Sequence, residues 1–243
     1  MRKMKNPLRV HICPVGFEVQ RVADPLARMK ADKAYLITYR ADDPAHQCLV
    51  RIKESLSKQA VQIQLIEEYV NIWDLVQCII KFKDVIRRER GNTVFINVST
   101  GTKVTAIAGT IVSMLEGSTP YYAKVDHTQQ RQPIPTKEKV EEPFEVPVYG
   151  LQPPRPEALR VLEFVEKSGG SARKKDLIRK LREIQIIRPI ARSDLSAAAA
   201  HSQLRALLDP LERDWHFVTI ESRGRSSKVS LTDQGRIGLQ IFS

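Results

Sequence analysis

The chain has 243 residues, 42% of them hydrophobic and 28% charged, enough to bury one large core or two modest ones. No apolar run reaches the roughly 18 residues of a membrane span, and Arg9 and His11 interrupt the stretch behind the basic start, so a soluble cytoplasmic protein with no membrane partner is expected. The net charge of +11 favours an anionic partner, nucleic acid first, while Cys13, Cys48 and Cys78, odd in number and far apart in apolar patterns, argue against disulfides and against a metal site.

Leu8 to Val15 reads as a first strand, with Gly16-Phe17-Glu18 at the turn into a helix striped by Val19, Val22, Leu26 and Met29 and bent at Pro25. Lys33 to Tyr39 is a second strand, Gln47 to Lys58 a helix, and Val61 to Ile66 a third strand. Asn71 can cap a helix from Ile72 to about Arg90, which Gly91-Asn92 ends. Thr93 to Val98 is a buried strand, rich in β-branched and aromatic side chains, and Ser99-Thr100-Gly101-Thr102 breaks it. Val104, Ile107, Ala108, Ile111, Val112 and Leu115 then recur at helical spacing up to Gly117. Thr119 to Asp126 and Phe144 to Tyr149 are two further strands, and His127 to Pro143 between them is a polar surface loop.

Strand and helix alternate four times, the pattern of a doubly wound, Rossmann-like, mostly parallel sheet. Ligands of such sheets bind outside the carboxyl ends of the strands. Both Gly16-Phe17-Glu18 and Asn97 to Lys103 lie at such ends. There a turn of small hydroxyl residues and glycine opens a helix, so free amide N–H groups and the positive end of the helix dipole meet at one point. Lys103 adds a full charge, and Ser99, Thr100 and Thr102 add donors for phosphate or ribose oxygens. The same residues also suit a plain helix cap beside a solvated lysine. The spacing matches neither a Walker A loop nor a dinucleotide fingerprint, and no cofactor is expected.

Gln152-Pro-Pro-Arg-Pro156 marks a linker, dividing a domain of residues 1–150 from one of residues 157–243. Glu157 to Glu166 and Lys174 to Arg182 read as helices, with Gly169-Gly170 between them. A third helix starts near Ser196 and carries Leu204, Leu207 and Leu208; Asp209-Pro210-Leu211-Glu212 looks like a capping box, at which the helix breaks or kinks. Trp215 to Glu221 and Lys228 to Leu231 form a hairpin with a basic tip, and Thr232-Asp-Gln-Gly-Arg236 opens a last short helix. Three helices followed by such a hairpin is the order of a winged helix-turn-helix. His201, Ser202, Gln203 and Arg205 on the third helix are candidate base readers, and Arg223, Arg225 and Lys228 on the wing are candidate phosphate contacts on double-stranded DNA. A winged domain that mediates protein contacts, its tip arginines merely solvated, is the competing reading.

Val10-His-Ile-Cys-Pro-Val-Gly-Phe-Glu18, Asn97-Val-Ser-Thr-Gly-Thr-Lys103, and Leu204-Arg-Ala-Leu-Leu-Asp-Pro-Leu-Glu212 followed by Leu231-Thr-Asp-Gln-Gly235 together give a resemblance over nearly the whole chain. The sequence resembles archaeal transcription regulators that join a CRISPR-associated Rossmann fold (CARF) domain to a C-terminal winged helix. The resemblance implies a homodimer formed through the Rossmann-like part. It implies a shared, two-fold site for a cyclic oligoadenylate, cyclic tetra-adenylate in the first instance, lined by Gly16, Phe17, Asn97, Ser99, Thr100, Gly101, Thr102 and Lys103. It places the protein in CRISPR-linked antiviral signalling. The alternative is a ring nuclease that degrades the same ligand, with the winged helix in a structural role; the motif holds no His or carboxylate to serve as general base. His11, inside the first strand, reads as a packed residue.

Overall fold

A computed structural model of the chain describes residues 6–40, 45–59, 62–125, 140–188, 195–223 and 226–242. The chain divides into two compact units, Met1–Leu151 and Gln152–Ser243.

In the first unit strands and helices alternate: β1 (Arg9–Pro14), α1 (Gln20–Arg28), β2 (Lys33–Thr38), α2 (His46–Lys58), β3 (Gln64–Tyr69), α3 (Leu75–Arg88), β4 (Thr93–Asn97), α4 (Lys103–Glu116), β5 (Thr119–Tyr122) and β6 (Phe144–Glu145). The sheet order is β3-β2-β1-β4-β5-β6, parallel up to β5 and antiparallel at β6. This is the Rossmann-like fold that the alternation predicts. Because β1 lies between β2 and β4, the direction of winding reverses there, the point at which ligands of such sheets bind. Val10, Ile12, Leu36, Ile37 and Ile96 are fully buried, the continuous apolar pattern of strands covered on both faces. Each such side chain contributes roughly 1.5–3 kcal/mol by leaving water. His11, also fully buried, accepts or donates at Nδ1 to the Tyr121 hydroxyl (3.3 Å) and stacks on Phe95.

Several elements differ from expectation. Strand β3 runs three residues later than Val61 to Ile66, through Glu67 and Glu68. Their charge is tolerable at a sheet edge because Glu67 pairs with Lys53, and Glu68 with Lys81 (2.9 Å) and Arg88 (2.8 Å). The cap of α3 is Asp74, whose carboxylate accepts from Gln77 N (3.0 Å), while Asn71 accepts from Trp73 N one turn earlier. Strand β6 keeps only two residues, since Pro147 has no N–H to continue a ladder. Most of the expected His127 to Pro143 loop lies outside the described residues.

The second unit runs α5 (Pro156–Lys167), β7 (Ser171–Arg173), α6 (Lys174–Glu183), α7 (Leu195–Arg213), β8 (Val218–Arg223), β9 (Ser226–Leu231) and α8 (Asp233–Phe242). Strand order β7-β9-β8 makes an antiparallel sheet on the helices, the architecture of a winged helix. Leu162, Val165, Leu177, Leu181, Leu204, Leu208 and Leu211 form its core with Phe217 and Val229. The expected break at Pro210 does not occur; α7 passes through it unbroken. Leu204, Leu208 and Leu211, spaced for one helix face and each at most 1% exposed, hold the helix together across the missing Pro210 N–H. Glu212, expected in a capping box, instead accepts from Ile220 N (3.2 Å). Strand β7 adds to the expected elements, because three residues carry no readable period.

Candidate functional site

At the carboxyl ends of β1 and β4 two turns meet backbone to backbone. The Thr100 hydroxyl donates to Pro14 O (2.7 Å), tying the turn after β4 to the end of β1. Gly101 stands at φ 79°, and a Cβ there would come within 2.7 Å of Pro14 Cβ. A Cβ on Gly16 would come within 3.2 Å of the Gly101 backbone. Both positions therefore require glycine: Gly101 for its left-handed backbone and for space, Gly16 for the approach itself.

The other polar groups of the turn are bound to the protein. Asn97, fully buried, donates from Nδ2 to Arg21 O (2.9 Å) and accepts at Oδ1 from Ser99 N (2.9 Å) and from the Ser99 hydroxyl. Thr102 caps α4 by accepting from Thr105 N (3.1 Å), and its own N–H donates to Thr105 Oγ1 (2.9 Å). The Thr102 hydroxyl also donates to Ile72 O (2.9 Å), drawing the segment before α3 against the start of α4. Ser99 and Thr100 are buried, and their hydroxyls, like that of Thr102, bond to acceptors within the fold. Burial removes them from solvent, and each has a better partner within the fold.

What faces outward is different. Lys103 is exposed at the first position of α4, where the N–H groups of Lys103 and Val104 have no intrahelical acceptor. Phe17 is 73% exposed on the β1–α1 turn. Trp73, which the sequence did not single out, and Glu18 of the β1–α1 turn join them. Trp73, 66% exposed, follows the Ile72 carbonyl that Thr102 holds. Glu18 brings a carboxylate oxygen to within 2.7 Å of where a Gly16 Cβ would stand. A nest of amides with an ammonium and flanking aromatic faces suits a phosphate-bearing, base-bearing ligand.

Behind Lys103 on α4, Ile107 lies one turn further on the same stripe and is 52% exposed. Leu75 and Ile80 of α3 are also more than a third exposed.

In the second unit His201, Ser202 and Arg205 are exposed along α7, and Arg205 Nε pairs with Asp209 (3.3 Å). Gln203 is not free for a base: its amide accepts from Arg188 N (3.1 Å) and donates to Arg188 O (3.3 Å). Lys228 is exposed on β9 and lines, with Arg173, Arg179, Asp176 and Glu221, a groove of about 690 Å³. Arg223 ends β8 opposite Ser226; Arg225 lies outside the described residues.

The parallel sheet with its glycine-built crevice, joined in one chain to a winged helix, defines a class of two-part proteins. Residues 9–128 match the family model described as HFX_2341_N-like, N-terminal, and residues 157–243 match that of the DUF6293 C-terminal winged helix domain. The two matches fall one in each compact unit, the first within Met1–Leu151 and the second within Gln152–Ser243. An uncharacterized protein of Archaeoglobus fulgidus is 24% identical over 237 residues, 96% of this chain and 98% of its own length. Among solved structures, Can2 of Sulfobacillus thermosulfidooxidans in complex with cyclic tetra-adenylate is 14% identical with a TM-score of 0.43, over 96% of this chain and 63% of that one. Csm6 of Enterococcus italicus bound to cyclic hexa-2′-fluoro-hexa-dAMP is 10% identical with a TM-score of 0.45, over 86% and 56%. The chain spans less than two thirds of the length of either solved chain.

No helix among the described residues is long and apolar enough to cross a membrane. The described residues hold no group of three or more His, Cys, Asp or Glu placed for a metal.

Proposed function

We propose that the protein is a dimeric, DNA-binding transcription regulator whose N-terminal domain senses a cyclic oligoadenylate, cyclic tetra-adenylate in the first instance, in CRISPR-linked signalling. The observation that carries this reading is the close approach of Gly16 to Gly101, which sets the amide-lined start of α4 and Lys103 beside an exposed aromatic at the switch point of the sheet. The resemblance to CARF regulators supplies the ligand class, and the chemistry is consistent with it. A ring of repeated phosphates fits a pocket made twice by the same helix start and lysine, as a two-fold dimer would provide. The face of α4 that carries the exposed Ile107, one turn beyond Lys103, is the surface that would bring the second copy to the site. The winged helix then offers two copies of α7 and its wing to a palindromic operator.

Titration calorimetry with cyclic tetra-adenylate tests the site. Lys103→Ala removes a charge from an exposed position, so thermal stability should hold while affinity falls roughly tenfold or more, the loss expected for a charge-assisted contact. Unchanged affinity would remove the site from this turn.

A further inference from the structure

One carboxylate oxygen of Glu18 has no hydrogen-bond partner at the end of β1. The residue is half-buried two residues beyond Gly16, and its Oε2 is closed off from solvent with no hydrogen-bond donor. That oxygen and the Gly101 amide nitrogen flank a single point, 2.7 Å and 3.2 Å from the position of a Gly16 Cβ. The neighbouring strand shows the same lack of partners: Thr38, 1% exposed at the end of β2, has an unpartnered hydroxyl, and His46 Nδ1 at the start of α2 is likewise unpartnered. The first turn of α2 approaches the same loop, with Cys48 Sγ 3.8 Å from Phe17 O.

A carboxylate beside an anion-binding turn is a liability. It repels phosphate, and a buried oxygen without a donor bears its desolvation cost uncompensated. A ligand removes that cost if it carries a hydrogen-bond donor close to the phosphate it presents. In an oligonucleotide the donor nearest a phosphate is the ribose 2′-hydroxyl, on the carbon adjacent to the one that bears the 3′-phosphate; base amino groups lie several bonds further out. The 2′-hydroxyl is also the group by which a protein tells RNA from DNA.

We propose that Glu18 accepts a hydrogen bond from a ribose 2′-hydroxyl of the bound nucleotide and makes the site selective for ribo over deoxy rings. This rests on the nucleotide reading above. Glu18 is a specificity residue, distinct from Lys103 and the α4 amides that hold phosphate.

The test measures binding of cyclic tetra-adenylate and of its all-2′-deoxy counterpart to the wild-type protein, Glu18→Gln and Glu18→Ala, with thermal melts alongside. The wild type should prefer the ribo ring by roughly ten- to hundredfold, the range for a hydrogen bond to a charged group. In Glu18→Ala the preference should collapse, because the ribo ring loses its acceptor while the deoxy ring, no longer facing an unpaired carboxylate, binds as well as before or better. A merely structural residue would weaken both rings alike. Glu18→Gln keeps the shape and a neutral acceptor and should fall between, so it carries the test should the alanine variant fold poorly. Equal affinity of the wild type for both rings, or an undiminished preference in Glu18→Gln and Glu18→Ala, overturns the proposal and leaves the nucleotide site standing. Failure of either ring to bind the wild type overturns the nucleotide reading and this inference with it.

Discussion

Asn97, Ser99, Thr100 and Thr102 spend their side-chain hydrogen bonds on the protein itself, whereas Lys103 stands exposed at the start of α4. The motif is located in the sequence by its glycine and lysine, but the destination of each hydroxyl depends on Pro14, Arg21 and Ile72, residues 30 to 86 positions away. Trp73 is illegible in the sequence for the same reason: it gains its place from another segment of the chain. His11 yields a prediction at this scale. Burial, with the Arg9 charge adding to it and Asp32 opposing, lowers its pKa to about 4. The unfolded chain therefore binds the proton more readily than the folded one. The stabilising difference is complete above the ordinary value of 6.5 and is lost as pH falls from there toward 4, on the order of 3 kcal/mol across the window. Thermal melts between pH 7 and 4.5 should show this decline, and His11→Asn should flatten it. An equal slope in both proteins would mean that other groups set the acid limit.

At the scale of elements, the parallel strands and α4 are readable because their periods are long and unbroken, whereas β7 and the passage of α7 through Pro210 are decided by packing. Asp209-Pro210-Leu211-Glu212 has the local chemistry of a helix start. It loses to three buried leucines on one face, a tertiary gain larger than one missing backbone bond. The opposite holds at α4, where local chemistry decides: Thr102 and Thr105 satisfy each other's N–H groups, and the Thr102 hydroxyl reaches Ile72 as well. Thr102→Ala should cost about 1–2 kcal/mol, the range for losing an N-cap. Denaturant titration measures it. Ring affinity should fall in the same variant although Thr102 offers the ligand nothing directly, because the amides of the first turn lose their fixed direction. A variant as stable as the wild type would show that the sheet, and not the cap, positions this turn.

For the molecule as a whole, charge does not distinguish the two units: residues 151–243 hold 17 Lys or Arg against 11 Asp or Glu, and residues 1–150 hold 22 against 17. Fold supplies the distinction, since only the second unit presents a helix and wing of the kind that enters DNA grooves. Under the proposed function, the double variant Arg223→Ala with Arg225→Ala should weaken operator binding and reduce the slope of log K against log salt by roughly 1 for each phosphate no longer neutralised. An identical slope would exclude the wing from the interface. Under the same proposal, dimerisation would bear on both ring and operator binding. Ile107 is 52% exposed on the apolar stripe of α4, so Ile107→Glu should leave the fold intact and place two carboxylates against each other in the proposed interface. Light scattering should then report a monomer. Affinity for the ring should fall because each subunit keeps only half the pocket, and affinity for a palindromic operator should fall because the two half-sites no longer bind as one. A variant that stays dimeric would move the interface off α4. A monomer with full ring affinity would instead show that one copy of the crevice is sufficient, and that the two-fold match between ring and protein plays no part in recognition.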